Sequence, residues 1–289
     1  MQNRPNYAIQ FLSQAPGGTF PLSIHDHPRH PAREIDYLHR HDCLELGLCL
    51  EGEGVFVVEG KIMNFRRGDY SVIDPTEAHL ATSAAGTTSH WVWYYLDFER
   101  ILLPHFPDLD LRFLPALRGA GFRNIRDGGT DPRGSRLLEE LFRAEEQEEQ
   151  CALVLLLALH FRKQFGETVP HLHPERNAGE FERVAPAIAY FSRNCAGTAT
   201  VTAAARLCCM SLTNFRRVFR RELGSSPQEY LNKLRIGMAL AELRSGRSSI
   251  SEVAARCGFP SLSCFNRQFR KQQGCTPREF RLDSGKRKQ

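Results

Sequence analysis

Sliding the chain against itself by 50 residues lays positions 204–230 on 254–280 and matches twelve of the 27 pairs, among them Ser211/Ser261, Leu212/Leu262, Phe215/Phe265, Arg217/Arg267, Phe219/Phe269, Gly224/Gly274 and Pro227/Pro277. Ala204/Ala254, Ala205/Ala255 and Arg206/Arg256, also among the twelve, open the aligned stretch. A repeat this dense means two copies of one structural unit, and it commits the C-terminal third of a 289-residue chain to a duplicated helical design. Each copy opens with a short apolar helix, Val201–Leu207 or Ile250–Cys257, and a tight connection. Ser211 or Ser261 then sits where an N-cap accepts from free amides of a second helix. Leu212, Phe215, Phe219 and Leu223 fall on one stripe of that helix, as do Leu262, Phe265 and Phe269, so the phenylalanines belong to a core. The opposite face carries Thr213, Arg216, Arg217, Arg220 and Arg221, and in the second copy Ser263, Asn266, Arg267, Arg270 and Lys271. Gly224 and Gly274 suit left-handed helix ends, and Ser226-Pro227-Gln228-Glu229 and Thr276-Pro277-Arg278-Glu279 are capping boxes with proline at the first helical position. From Pro227 to about Arg244 the pattern predicts one helix roughly 27 Å long.

Charge separates the two ends of the chain. Residues 1–180 hold 18 Lys+Arg against 26 Asp+Glu, a net of −8, whereas 181–289 hold 20 against 7, a net of +13. Cationic charge at that density calls for a polyanionic partner, and hydroxyl, amide and guanidinium groups are the types that clamp phosphates or read base edges. Helix, tight turn and a second helix with a polar, basic outer face describe a helix-turn-helix. Two of them joined by a 27 Å helix would reach successive major grooves of double-stranded DNA, which is about the spacing of one helical turn.

Residues 183–282 resemble the paired helix-turn-helix domain of the AraC/XylS family of bacterial transcription regulators, most specifically over Ile250-Ser-Glu-Val-Ala-Ala-Arg-Cys-Gly-Phe-Pro-Ser-Leu-Ser-Cys-Phe-Asn-Arg-Gln-Phe-Arg-Lys-Gln-Gln-Gly-Cys-Thr-Pro-Arg-Glu-Phe-Arg281. The resemblance implies base-facing positions at Thr213, Arg216 and Arg217 and at Ser263, Asn266 and Arg267, with Arg220, Arg270 and Lys271 beside them on the DNA face. It also implies a small-molecule effector, contact with RNA polymerase and a homodimer held through the N-terminal region. One departure stands out: Cys208 occupies the turn position where the second copy has Gly258, a geometry glycine accepts more easily.

Upstream, from about Tyr37 to Phe98, short β-rich runs (Cys43–Leu50, Val55–Val58, Lys61–Phe65, Tyr70–Ile73, Leu80–Ser83, Trp91–Leu96) alternate with turn signals such as Glu59-Gly60 and Arg67-Gly68-Asp69. They predict a small antiparallel barrel or sandwich. Helical spacing follows from residue 134, and a second helix ending at Phe165 is apolar nearly all round, which asks for partners on more than one side, either within one subunit or across a dimer seam. The expected architecture is a multidomain α+β chain: a cupin-like antiparallel barrel with helices over 1–167 (barrel about 20–100, helices about 134–166), a linker at 168–180, and an all-α double helix-turn-helix domain over 181–289. His39-Arg-His41-Asp-Cys-Leu-Glu45 with Gly52, then Gly68-Asp69 and Pro75-Thr-Glu-Ala-His79, are similar to the two cupin motifs, without the usual glycine between Pro75 and His79. That resemblance offers His39, His41, Glu45 and His79 as a divalent metal set of a kind that suits Zn, Mn, Fe or Ni, or as polar groups of an organic ligand site. Trp91 and Trp93 share a strand face with Tyr95; inside the barrel they would wall a pocket for a sugar or aromatic ligand, outside it they would pack under helices.

Two functions compete on these residues: a ligand-responsive transcription regulator with no catalytic residues and no certain cofactor, or a cupin metalloenzyme carrying a DNA-binding tail. The sequence supplies no second acid–base pair for the enzyme, so the regulator is expected. The longest apolar stretch, Ala152–Leu159, is too short for a membrane span, the N-terminus carries no secretory pattern, and a cytoplasmic protein without membrane partners is expected. Nine cysteines without CxxC or zinc-finger spacing read as reduced thiols.

Overall fold

The computed structural model describes residues 9–17, 20–27, 37–84, 87–166, 178–197, 199–246 and 248–286. Its strands are β1 (Gln10–Phe11), β2 (Leu22–His27), β3 (His39–Arg40), β4 (Leu44–Glu51), β5 (Glu53–Val58), β6 (Lys61–Arg66), β7 (Tyr70–Ile73), β8 (His79–Ser83), β9 (His90–Leu96) and β10 (Ile125–Arg126). They form two five-stranded sheets facing each other, in the orders β1-β3-β8-β5-β6 and β10-β7-β4-β9-β2. All pairings are antiparallel except β1 with β3. The β5–β6 hairpin closes through Glu59 and Gly60, both at positive φ (48° and 81°), the two-residue turn whose twist matches that of the strands. Glu59 tolerates that conformation while its carboxylate accepts the Ala78 amide at 2.7 Å.

Apolar side chains fill three spaces. Between the sheets lie Phe56, Val58, Phe65, Ile73 and Trp91, with Trp93 packed beside them. The outer face of the second sheet is covered by α1 (Phe98–Leu102), α2 (Pro132–Arg143) and α3 (Gln147–Phe165), joined by a 3-10 turn at Leu114–Leu117. The outer face of the first sheet, through Leu38, Val55, Val57, Ala78 and Leu80, joins the same core as the C-terminal helices. Both sheets are therefore apolar on both faces, which is why Gly54–Val58 of β5 is buried without alternation.

The C-terminal helices are α4 (Ala178–Asn194), α5 (Val201–Leu207), α6 (Leu212–Leu223), α7 (Pro227–Ser245), α8 (Ile250–Arg256), α9 (Leu262–Gln273) and α10 (Pro277–Lys286). The expected linker needs one correction: 178–180 already belong to α4, because Phe181 and Val184 are core residues that fix this helix; the remainder, 168–177, lies outside the described residues. The repeat needs another. Val201 corresponds to Ile250, Cys208 to Cys257 and Cys209 to Gly258, an offset of 49, while Leu212 and Leu262 keep the offset of 50. The second unit has one more residue in its turn. The left-handed position of the first unit is accordingly Cys209 (φ 54°), whereas Cys208, at φ −82°, is an ordinary helix end. Ala204/Ala254, Ala205/Ala255 and Arg206/Arg256 are identities of letters, not of place: Ala204 and Ala205 occupy the buried sites of Val253 and Ala254.

Candidate functional site

Two surfaces carry the chemistry. On α6 and α9 the stripes expected to be core are core: Phe215, Phe219, Phe265 and Phe269 have no measurable exposure. Ser211 and Ser261 cap these helices through the amides of Asn214 and Cys264, and Gly224 and Gly274 end them at φ 66° and 73°. With the apolar stripe pinned inward, helical geometry turns Thr213, Arg216, Arg217, Arg220, Ser263, Asn266, Arg267, Arg270 and Lys271 to solvent, and all nine are exposed. Arg217 is held along its own helix by donating to Asn214 at 2.9 Å, while Arg221 is drawn off the open face by Glu180 and Glu222.

The structure adds groups that the helix pattern did not offer. A groove of about 610 Å³ is bordered by Arg216 and Arg220 of α6, Thr200 and Thr202 at the start of α5, and Gln228 at the start of α7. Its counterpart of about 820 Å³ is bordered by Asn266, Arg267 and Arg270 of α9, Ile250 at the start of α8, and Arg278 at the start of α10. In each unit two helix N-termini, whose free amides and dipoles favour anions, converge beside guanidinium groups. The signal for Gln228 and Arg278 was the residue after each capping Ser/Thr-Pro, visible only once that turn is known to face the reading helix.

The second surface is internal. His39 and His79 face each other across β3 and β8 of the first sheet, and Glu45 projects from β4 of the second sheet. With His41 they form a cluster in which one ligand atom per residue lies within 4.8 Å of the others, and all four residues are buried. Each imidazole approaches a backbone carbonyl through Nδ1: His39 to Tyr37 at 3.3 Å, His41 to Leu12 at 2.9 Å and His79 to Glu77 at 3.0 Å. A carbonyl only accepts, so Nδ1 carries the hydrogen, and in the neutral imidazole Nε2 then holds the lone pair. His41 Nε2 and His79 Nε2 lie 2.7 and 3.3 Å from the Glu45 carboxylate, yet these two nitrogens and Glu45 Oε1 make no well-directed hydrogen bond. Burial, with His79 second, pushes His39 down to about 3. Burial alone would raise Glu45, but His79 and His41 outweigh it and hold the carboxylate well below its ordinary range; in turn burial depresses His79, and Glu45 outweighs that and raises it. Three imidazoles and one carboxylate with orphaned buried atoms fit a divalent transition metal, with the carbonyls acting as orienting partners behind the ligands.

Trp91, Trp93 and Tyr95 point into the barrel, whereas Val92, Tyr94 and Leu96 meet the helices. The two indoles stack at 4.8 Å, Phe56 and Phe65 pack edge-on to Trp91, and Tyr95 lies edge-on to His41. The interior around the histidines is thus lined with flat aromatic walls.

Residues 22–160 match a family model described as the AraC-like ligand binding domain, and residues 204–283 match one described as a helix-turn-helix domain. The chain belongs to the AraC/XylS family. This AraC-type protein is 25% identical to the HTH-type transcriptional activator RhaS of Enterobacter sp. (strain 638) over 258 residues, covering 84% of this chain and 86% of that one. Among solved structures it is similar to an AraC-type regulator from Chromobacterium violaceum (28% identity, 37% of this chain and 96% of that one, TM-score 0.35). It is also similar to unsaturated fatty acid-bound ToxT from Vibrio cholerae (12% identity, 93% and 97%, TM-score 0.35). The protein is a DNA-binding transcription regulator with a cupin-like ligand-binding domain. No described helix is long and apolar enough to cross a membrane.

Proposed function

We propose that this AraC-type regulator reads DNA with α6 and α9, through Thr213, Arg216 and Arg217 in one groove and Ser263, Asn266 and Arg267 in the next. Arg220, Arg270 and Lys271 hold phosphates on either side. The observation that carries this reading is the pair of equivalent helices with every one of these side chains exposed, each beside a groove walled by helix N-termini. The 19-residue α7 between them is about 28 Å long, which suits reading helices set roughly one turn of duplex apart. Arg217→Ala and Arg267→Ala test it by titration against cognate and scrambled DNA. A base-reading arginine costs about 1–3 kcal/mol on the cognate site and little elsewhere, whereas an equal loss on all DNA assigns a phosphate role and overturns the base-reading assignment.

The barrel is the sensor in this reading: His39, His41, Glu45, His79, Trp91 and Trp93 share one enclosed interior and are the groups an effector would meet. The working unit is a homodimer joined through α3, on which Leu156 stays exposed at 37% while Leu153, Val154 and Leu157 are buried against the barrel. A curated relative named as a transcriptional activator supports contact with RNA polymerase. The protein acts in the cytoplasm as a regulator and not as an enzyme, with sensor, linker and DNA-binding regions dividing near 167 and 178.

A further inference from the structure

We propose that a divalent first-row transition-metal ion, held by His39, His41, Glu45 and His79, is itself a signal to this regulator, and that one sheet passes it to the DNA-binding helices. The inference rests on the proposed reading of α6 and α9 and names the chemistry of the barrel's effector.

Nε2 lone pairs and a carboxylate aimed at one point are mutually repulsive acceptors unless a cation or shared proton lies between them. The ligand atoms lie up to 4.8 Å apart, whereas a tetrahedral ion with bonds of about 2.0–2.1 Å would hold them about 3.3 Å from one another. Binding therefore re-spaces the cluster, opening the 2.7 Å contact of His41 with Glu45 while drawing in the more distant atoms. Because His39 and His79 belong to the first sheet and Glu45 to the second, one shared ion ties the two sheets together and fixes β3 and β8 against β4.

The first sheet is one layer thick, and its far side is the floor of the DNA-binding region. Ala78 and Leu80, the chain neighbours of His79, belong to the core of Phe181, Ile188 and Leu234, not to the barrel interior. Next to β8, β5 turns Phe56 and Val58 inward and Val55 and Val57 outward to the same helices. The helix resting there is α7, which joins the two reading units. Asn64 of β6 donates to the Gly237 carbonyl at 2.7 Å, Glu53 of β5 pairs with Arg244 at 3.2 Å, and a Cβ on Gly237 would lie 2.8 Å from Val55. A shift of β8 and β5 by a fraction of an ångström is felt by a helix packed this closely, and α7 sets the placement of α6 against α9.

Full-length protein freed of metal by chelation is titrated separately with Zn²⁺, Mn²⁺, Fe²⁺ and Ni²⁺. Bound metal, melting temperature, tryptophan emission and affinity for an operator fragment are recorded. Trp91 and Trp93 are the only tryptophans and lie in the barrel, so emission reports on the site directly. The expected result is one ion per chain, a raised melting temperature, altered emission and an operator affinity changed at least fivefold. Glu45→Gln and His79→Gln should lose the ion, and Asn64→Ala/Glu53→Ala, altered only on the barrel side of α7, should keep it while losing most of the affinity change. No stoichiometric metal in the wild type overturns the proposal without reference to any variant's folding. An unchanged operator affinity in metal-loaded protein refutes the signalling role, and a full response in Asn64→Ala/Glu53→Ala refutes the route. Metal-free protein that still binds its operator leaves the reading of α6 and α9 standing in each case; protein that binds no DNA in either form removes that reading instead.

Discussion

Cys209 stands at φ 54° with its side chain in solvent, and its counterpart Gly258 stands at 76° with no room for one, since a Cβ there would lie 2.5 Å from the Cys195 carbonyl. The same turn is strained in one unit and intolerant of change in the other. Cys209→Gly is expected to raise stability by up to about 1 kcal/mol in chemical denaturation, the relief of a left-handed non-glycine residue being offset in part by a freer unfolded chain. Gly258→Ala should lower stability by more than that amount. The sequence signalled the strain but placed it at Cys208, because a one-residue difference in turn length is invisible when a single offset is applied to both units. Asp131 makes a second case. It caps α2, and accepts from Tyr70 at 2.5 Å and from Gln164 at 2.8 Å, with His160 within 3.1 Å. Burial works against the charge, but Tyr70, Gln164 and His160 together hold its pKa below the ordinary 3.8. A depressed carboxylate stabilises the fold above its unfolded value and loses that contribution as pH falls through the folded one. Thermal melts of wild type and Tyr70→Phe should therefore differ, by roughly 1–2 kcal/mol, near neutral pH and converge on acidification well below pH 4.

Among the elements, α7 was recognised as long and continuous, but its run Ile236-Gly237-Met238-Ala239-Leu240-Ala241 is apolar on every side and buried throughout. A helix between two helix-turn-helix units needs one apolar face for them; the other belongs to β5 and β6 of the barrel. Gly237 is the point of closest approach, so Gly237→Val should wedge the helix off Val55, cost about 1–3 kcal/mol, and raise amide exchange in β5 and β6 without altering the barrel interior. The central strands and their turns were legible from residues 43 to 96 because β-branched runs and Gly turns mark them locally. The strands β1, β3 and β10, at two residues each, carry no period to read, and β3 holds His39 only through pairings with β1 and β8 that link distant segments.

For the whole molecule, the charge split between −8 and +13 maps onto a barrel with an internal cluster and a helical region with exposed arginines. Binding of operator DNA should weaken steeply with salt, each neutralised phosphate contributing about −0.9 to the slope of log affinity against log salt. Arg270→Ala should lower that slope by about 1 with little change in sequence preference, which fluorescence anisotropy at several salt concentrations would measure. A slope unchanged in Arg270→Ala would remove that residue from the phosphate contacts. The duplication, the capping residues and the basic faces were all readable because they are local and periodic. The docking of α7 on the first sheet was not, since neither surface is unusual until the other is placed against it.

By itself the sequence determined the two helix-turn-helix units, the central strands from 43 to 96, and the polar, basic outer faces of α6 and α9, since helical and strand periods, caps and turns are written in neighbouring residues. Only the tertiary structure decided that His39, His41, Glu45 and His79 converge with their Nε2 atoms turned inward, that the tryptophans line the barrel interior, and that one sheet has the histidines on one side and α7 on the other. Those relations join residues up to about 190 positions apart, and packing of distant surfaces, not any local pattern, sets them.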